Sequence, residues 1–595
     1  MVTTGKPARR FGRGLAAAAL VALPAANADA QDVGSALTVA PDFLSGLETP
    51  GAVGLPPRTA PAGPFGVSPA PRSPVDTGAA ATERPGDMAV RLSPFFSDSL
   101  GTPNPPSQLP EGRSWVVRPF IDARALITDN SYTNTRSGKR GEVIATITPG
   151  VSASAETARI RGRAFYAPSF VGYLDQREQS RIDHRFLGDA TIQLVPGSVF
   201  LDLRGYGTIS PIASGFTNSD TANLPRRAVA QTYSFSVSPY LLHRFGTQAA
   251  VAAGYLFQYV ERQGSQASIR PDGVPFYAPG NMISNTVFGT LRTGEDSGPL
   301  AAELRLRGTM FDGAGSLNGA HRASAVVEAR YALRNNLFAI VEGGYESIHY
   351  SSAPPIRIDE PVWGVGVRWD PSPNSMIIAR YRRREGVTTP TLEARIALTP
   401  RTTVFMRYDD GIATPLQRTA DVLQTITVDE NNQPVDRLSG APQPDFAGAT
   451  VLGLQSGVYR IRRGQASIIH RRDRDSFYFA FRHENRRVLA NDPGLVAFGQ
   501  TSNTFDLTYS RAVNPVTTFT AGASYSLYES PSTPGQNSSW LLRASFRRTF
   551  SETLSGTIEY QLSDRRTTLA DSNVPISQTR RGLRNAIILS LRKTF

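Results

Sequence analysis

From Ser114 to the end of the chain, hydrophobic and polar residues alternate with a period of two. Between Thr553 and Ser563, Leu554, Gly556, Ile558, Tyr560 and Leu562 alternate with Thr553, Ser555, Thr557, Glu559, Gln561 and Ser563. Phe519, Ala521, Ala523, Tyr525 and Leu527 share one face in the same way, as do Phe505, Leu507 and Tyr509. Phe477, Phe479 and Phe481 repeat the pattern, followed by Leu392, Ala394, Ile396 and Leu398, and by Val199, Leu201 and Leu203. Successive side chains of a strand point to opposite sides, so each segment keeps one face in an apolar medium and the other in a polar one. Segments of roughly 10 to 15 residues exceed ordinary sandwich strands and fit strands that cross a bilayer at a tilt.

Turn chemistry punctuates the strands. Tight turns are predicted at Pro196-Gly197, Arg334-Asn335-Asn336, Asp370 to Asn374, Thr399 to Thr402, Asn514-Pro515 and Ser551-Glu552. Longer loops fall between them, near 210–228, 261–281, 350–360, 487–502 and 564–582, and the longest covers 411–456. Tight and long connections alternate, as an up-and-down barrel in a membrane requires, and the strand count comes to about 22, within roughly 18 to 24. An unpaired backbone N–H or C=O in lipid costs several kcal/mol, so such a sheet must close on itself. The fold class expected is therefore all-β, a transmembrane antiparallel up-and-down β-barrel over residues 114–595. Trp115, Trp363, Trp369 and Trp540 fall near strand ends, where interfacial aromatic girdles belong.

The N-terminus reads as an address. Lys6, Arg9, Arg10 and Arg13 form a basic region, Gly14 to Leu23 a short apolar one, and Ala28-Asp29-Ala30 a small-residue cleavage site. Residues 1–30 are thus a signal peptide. Residues 31–113 are rich in Pro, Ala and Gly without apolar periodicity, which predicts a disordered periplasmic segment. Localisation in the outer membrane of a Gram-negative cell follows.

Composition narrows the chemistry. The 595 residues contain no cysteine, so thiolate metal sites and Cys nucleophiles are excluded. Net charge is +13; residues 1–30 hold four positive charges and one negative, leaving +10 on the mature chain. That charge is mostly Arg dispersed along alternating strands, without a compact basic patch, so no nucleic-acid partner is expected. The six histidines, 184, 243, 321, 349, 470 and 483, show no metal-ligand spacing. No nucleophile elbow or phosphate-binding loop occurs, so no enzyme, metal or cofactor is expected.

The chain ends Ala586 to Phe595, with Ile587, Leu589, Leu591 and Phe595 on one face. This looks like the C-terminal signal read by the bacterial barrel-assembly machinery. Lys593 departs from the apolar choice on that face, near the end where a long cationic side chain reaches headgroups.

Gly366 to Gly386, GVRWDPSPNSMIIARYRRREG, runs into TLEARIALTPRTTVFMRYDD at Thr391 to Asp410. With the Asp129-Asn130 pair and the hairpin SFRRTFSETLSGTIEYQLSDRR, these stretches resemble the porin-like outer-membrane β-barrel proteins associated with exosortase (PEP-CTERM) and exopolysaccharide loci. The resemblance implies a role in polysaccharide production or export and supplies no catalytic residues. A TonB-dependent receptor would share the strand number but needs a folded plug larger than residues 31–113. General trimeric porins have fewer strands.

A barrel of about 22 strands spaced ~4.8 Å apart and tilted ~40° has a diameter on the order of 40 Å, so something must constrict it. The loop 411–456, carrying Asp421, Asp429, Glu430, Asp436 and Asp445, is the candidate; it either folds inward onto basic partners or stays extracellular. Arg159, Arg161, Arg163, Arg305, Arg307, Arg380, Arg382, Arg395, Arg407, Arg543 and Arg547 are predicted to line the lumen. They either make it electropositive or are neutralised by Glu303, Glu393, Glu559 and other inward acids. The function expected is an outer-membrane channel associated with exopolysaccharide export. Its partners are membrane lipid, the assembly machinery, periplasmic export components and an anionic polysaccharide. A diffusion porin for small anions and a non-conducting structural barrel are the alternatives.

Overall fold

The computed structural model describes residues 114–131, 141–212, 214–216, 224, 226–246, 248–264, 268–269, 275–293, 299–372, 374–428, 434–436, 451–530, 533–569 and 578–595. The expected signal peptide, residues 1–30, and the expected disordered segment, 31–113, fall outside them. Twenty-two antiparallel strands form one sheet in which each pairs with its neighbours in sequence. The first, Trp115–Thr128, pairs with the last, Gln578–Thr594, and closes the ring. The expected barrel and its strand number are both found.

Side-chain direction follows the alternation. In Gln578–Thr594, Ile587, Leu589 and Leu591 face out, while Arg584, Ala586, Ile588 and Arg592 are buried inward. Phe477, Phe479, Phe505, Leu507, Ile558 and Tyr560 are likewise exposed on the outside, where lipid replaces water as their contact. All six tight turns expected from the sequence join strands at one end of the barrel, the end where Trp115–Thr128 begins. Gly197 takes a left-handed φ of +71°, which a residue without Cβ adopts at no steric cost. Trp115 and Trp369 lie at that end and Trp363 and Trp540 farther up, all outward.

The opposite end departs from the alternation of tight and long connections, most plainly among the described residues at one hairpin. Between Ser375–Arg384 and Val387–Thr399 the outer connection is not a long loop but the two residues Glu385 and Gly386. Both have positive φ, +51° and +80°, the geometry of a two-residue hairpin turn. The strands also run farther into several loops than the sequence suggests: the longest outer connection spans 414–457.

The ring is fastened where it closes. Asp129 accepts hydrogen bonds from the Asn585 backbone N–H (2.7 Å) and side-chain amide (2.9 Å), and Asn130 donates to the Leu583 carbonyl (3.1 Å). The Thr128 hydroxyl donates to the Asn585 carbonyl at 2.9 Å. Asp129→Ala strands the Asn585 N–H and should cost about 1–3 kcal/mol. Urea unfolding in lipid vesicles measures it, and an unchanged midpoint would show that the clasp is ornamental.

Candidate functional site: the closed outer mouth

The sequence Thr414-Pro415-Leu416-Gln417 starts a helix immediately beyond the strand Thr402–Ala413. The Gln417 N–H donates to the Thr414 hydroxyl (3.2 Å), and the Thr414 N–H donates to the Gln417 side-chain carbonyl (2.9 Å). This reciprocal capping box, with Pro at the first helical position, satisfies amide groups that a helix start leaves open. The helix, α1, covers Pro415–Thr425. It packs against the strands Val199–Pro211, Val229–Phe245, Ala249–Gly264 and Gly280–Thr293, so the helical start of the 414–457 connection folds inward, as the inward reading expected.

Its apolar side covers the wall. Ala420 packs with Val260, Met282, Ile348, Tyr350 and Ile412, with Leu416 against the same cluster, and Leu423 packs with Leu187 and Tyr206. Polar anchors hold both ends. Arg262 donates to the Pro415 carbonyl and the Thr419 hydroxyl, each at 2.8 Å. Gln258 donates to the Ala420 carbonyl at 3.1 Å, and Tyr350 to the Gln417 side-chain carbonyl at 2.9 Å. Arg204, paired with Asp202 at 3.1 Å, donates to the Leu423 and Gln424 carbonyls. A guanidinium at a helix C-terminus meets the negative end of the dipole.

Between α1 and the wall lies a cavity of about 40 Å³ bordered by Arg307, Arg322, Arg384, Glu346, Glu385 and Asp421. Burial pushes the Asp421 carboxyl up to about 6, although Arg307 and Arg322 favour its charge. Asp429, Glu430 and Asp445 lie outside the described residues, and nothing is described of the Asp436 side chain.

Above α1, connections from opposite walls meet. The Gly215 N–H donates to the Val451 carbonyl (2.7 Å) and the Leu454 N–H to the Ile212 carbonyl (3.0 Å). These residues adjoin the fifth strand, Val199–Pro211, and the sixteenth, Val458–Arg472, half-way round the ring from each other. Ser456 and Val496 donate to the Phe276 and Pro275 carbonyls at 3.1 and 3.0 Å. Arg565 adds a bond to the Ser214 carbonyl (2.7 Å) and covers the Phe216 ring at 4.3 Å. The outer mouth is bridged.

Of the eleven arginines predicted to line the lumen, ten sit on inner-face positions. Arg159 does not: it is exposed in the connection before Ile160–Tyr173. There the Thr157 hydroxyl accepts from the Arg159 N–H (3.3 Å) and the Ile160 N–H (2.8 Å), holding Arg159 in the turn, so the strand begins one residue later than the alternation implies. Acids on the same strand or on others meet several of the rest. Arg161 pairs with Glu156 at 2.6 Å and Arg407 with Asp409 at 3.3 Å. Glu328 takes Arg305 at 3.0 Å, Arg330 at 2.7 Å and Arg380 at 3.4 Å. Arg395 lies 5.9 Å from the Phe405 ring centre, while Arg163, Arg307, Arg382, Arg543 and Arg547 complete the inner set. The arginines that anchor α1, Arg204 and Arg262, were not singled out by the sequence reading. The capping box was a local signal able to reveal the helix they hold.

At the end of the chain, Ile587, Leu589, Leu591 and Phe595 are all exposed on the outer face. Two of the scattered histidines meet: His321 and His349 stack with ring centres 5.4 Å apart. Among the described residues no group of three or more His, Asp or Glu is arranged to hold a metal ion.

A closed ring with an apolar outer surface and a charged inner one defines a transmembrane β-barrel of the outer-membrane type. No family model matches the chain, and no curated protein matches it. Among solved structures it is similar to the FrpB iron transporter from Neisseria meningitidis in its apoprotein form, at 10% identity and TM-score 0.45 over 81% of each chain. It is also similar to the ferric-catecholate import receptor Fiu from E. coli K12, at 9% identity and TM-score 0.43 over 82% of each chain. A third is P. aeruginosa FpvA bound to a pyoverdine, at 13% identity and TM-score 0.42, over 80% of this chain and 72% of that one.

Proposed function

We propose that this chain is a gated outer-membrane channel, shut in this state by its own outer loops, whose cargo is an anionic polysaccharide leaving the cell. The observation that carries the reading is the docking of α1: the obstruction is one loop pinned to the wall by side chains, and a pinned loop can leave. The rows of inner-face arginines support an anionic cargo, and the resemblance to proteins of exopolysaccharide loci supports a polymer. The C-terminal residues Ile587 to Phe595 then serve as the assembly signal. No catalysis is assigned.

Conductance in planar bilayers tests this, on mature protein and on a variant lacking 415–456. The expected result is a small or absent wild-type current and a large anion-selective one after the deletion. A cation-selective current from the variant would end the anionic-cargo reading. Silence from both proteins would leave a structural barrel.

A further inference from the structure

The outer wall carries a lipid-facing groove of about 570 Å³ that the channel reading does not use. Its floor and sides come from two adjacent rows running across four strands. One row is Val287, Gly308, Ala323 and Ser347; the next is Gly289, Leu306, Ala325 and Tyr345. Val287, Leu306 and Tyr345 stand out as walls, 47 to 66% exposed, while the small residues between them leave the depression. A Cβ built on Gly289, Gly308 or Gly343 would meet nothing within 4 Å, and none of the three has a left-handed φ. The space is therefore open rather than demanded by the backbone.

The row above the groove, toward the outer end, is polar except at Met310. It runs Asn285, Met310, His321, His349 and Arg357, with the Tyr255 hydroxyl bonded to Asn285 at 2.5 Å and the two histidines stacked. The Arg357 side chain is 81% exposed; it pairs with Asp359 at 3.0 Å, and Asp359 also accepts from the Ser347 hydroxyl. Apolar space below and nitrogen donors above match an amphiphile standing in the outer leaflet, its chain in the groove and its anionic head on the donors.

We propose that the groove holds one acyl chain of a phosphorylated glycolipid of the outer leaflet, whose phosphate rests on His321, His349 and Arg357. The proposal rests on the outer-membrane reading and not on conduction. Filling the groove with leucine at Gly308 and Ala323 removes the room for the chain without opposing the backbone, whereas Arg357→Ala with His349→Ala removes only the donors.

Native mass spectrometry of the mature protein, titrated with rough lipopolysaccharide and separately with phosphatidylglycerol, tests the assignment. The wild type is expected to retain one lipopolysaccharide and to discriminate against phosphatidylglycerol. Both variants should bind about tenfold more weakly. Heat-modifiable gel mobility establishes that they fold, and unchanged conductance separates this site from the channel. Equal retention by the groove-filled variant, or equal retention of phosphatidylglycerol, would overturn the proposal. So would a wild-type dimer that carries no lipid and dissociates when the groove is filled.

Discussion

Glu328→Ala is expected to lower the stability of the barrel by about 3–5 kcal/mol, the range for removing one partner from a buried ion pair. Glu328 is 1% exposed and lies where three guanidinium groups converge, those of Arg305, Arg330 and Arg380. The strand register explains why it is needed. Glu303, Glu328 and Glu342 stand directly opposite one another across three strands. Like charges so placed repel unless cations flank them. Arg305, Arg330 and Arg380 supply that flank, and loss of the central carboxylate leaves them facing each other. Glu328→Gln keeps the shape and should fall between the two. An exposed pair makes the contrast: Arg401→Ala, which removes the partner of Asp473 across two tight turns, should leave the unfolding midpoint unchanged. Urea titration in vesicles compares all three, and a wild-type midpoint for Glu328→Ala would mean that the arginines are held by something other than this charge.

What was legible in the sequence was local. Alternation over ten or more residues is set by each strand's own two environments, and Pro, Gly and Asn mark the tight turns by their own dihedral preferences. The strand number and the closing strand follow from that. What was not legible depended on register. Arg305 and Glu328 are 23 residues apart in sequence, and Arg380 and Glu328 are 52 apart; only the ladder brings them together. The same holds for α1. The reading expected acidic side chains to find basic ones, but the anchors Arg204 and Arg262 bind backbone carbonyls and a hydroxyl from more than 150 residues away. No charge pattern announces such contacts. Thr414-Pro415-Leu416-Gln417 carried a local signal for the helix, which the expectation of an acidic loop passed over. Arg159 was misplaced for a smaller reason: alternation gives no warning of where a strand begins, and the Thr157 hydroxyl decides it.

Arg204→Ala combined with Arg262→Ala is expected to release α1 and raise single-channel conductance, while the barrel stays folded. Each arginine makes charge-assisted bonds to the helix, worth about 1.5–3 kcal/mol apiece. Losing both shifts the docked-to-released ratio by on the order of a hundredfold or more. The apolar contacts of Ala420 and Leu423 remain, so release is expected to be partial and visible as gating rather than as a permanently open pore. The docked state also has a pH sense. Its Asp421 carboxyl titrates at about 6, above the ordinary value of 3.8, because it is buried. Arg307, Arg322, Arg418 and Arg384 face it as cations and Glu385 and Glu346 as anions. A group whose pKa rises on docking favours docking fully below its free value and loses that contribution as pH climbs through its docked value. Wild-type current should therefore be smaller near pH 5 than near pH 8, and Asp421→Asn should flatten that dependence. If the double variant conducts like the wild type at both pH values, α1 is not what closes this channel.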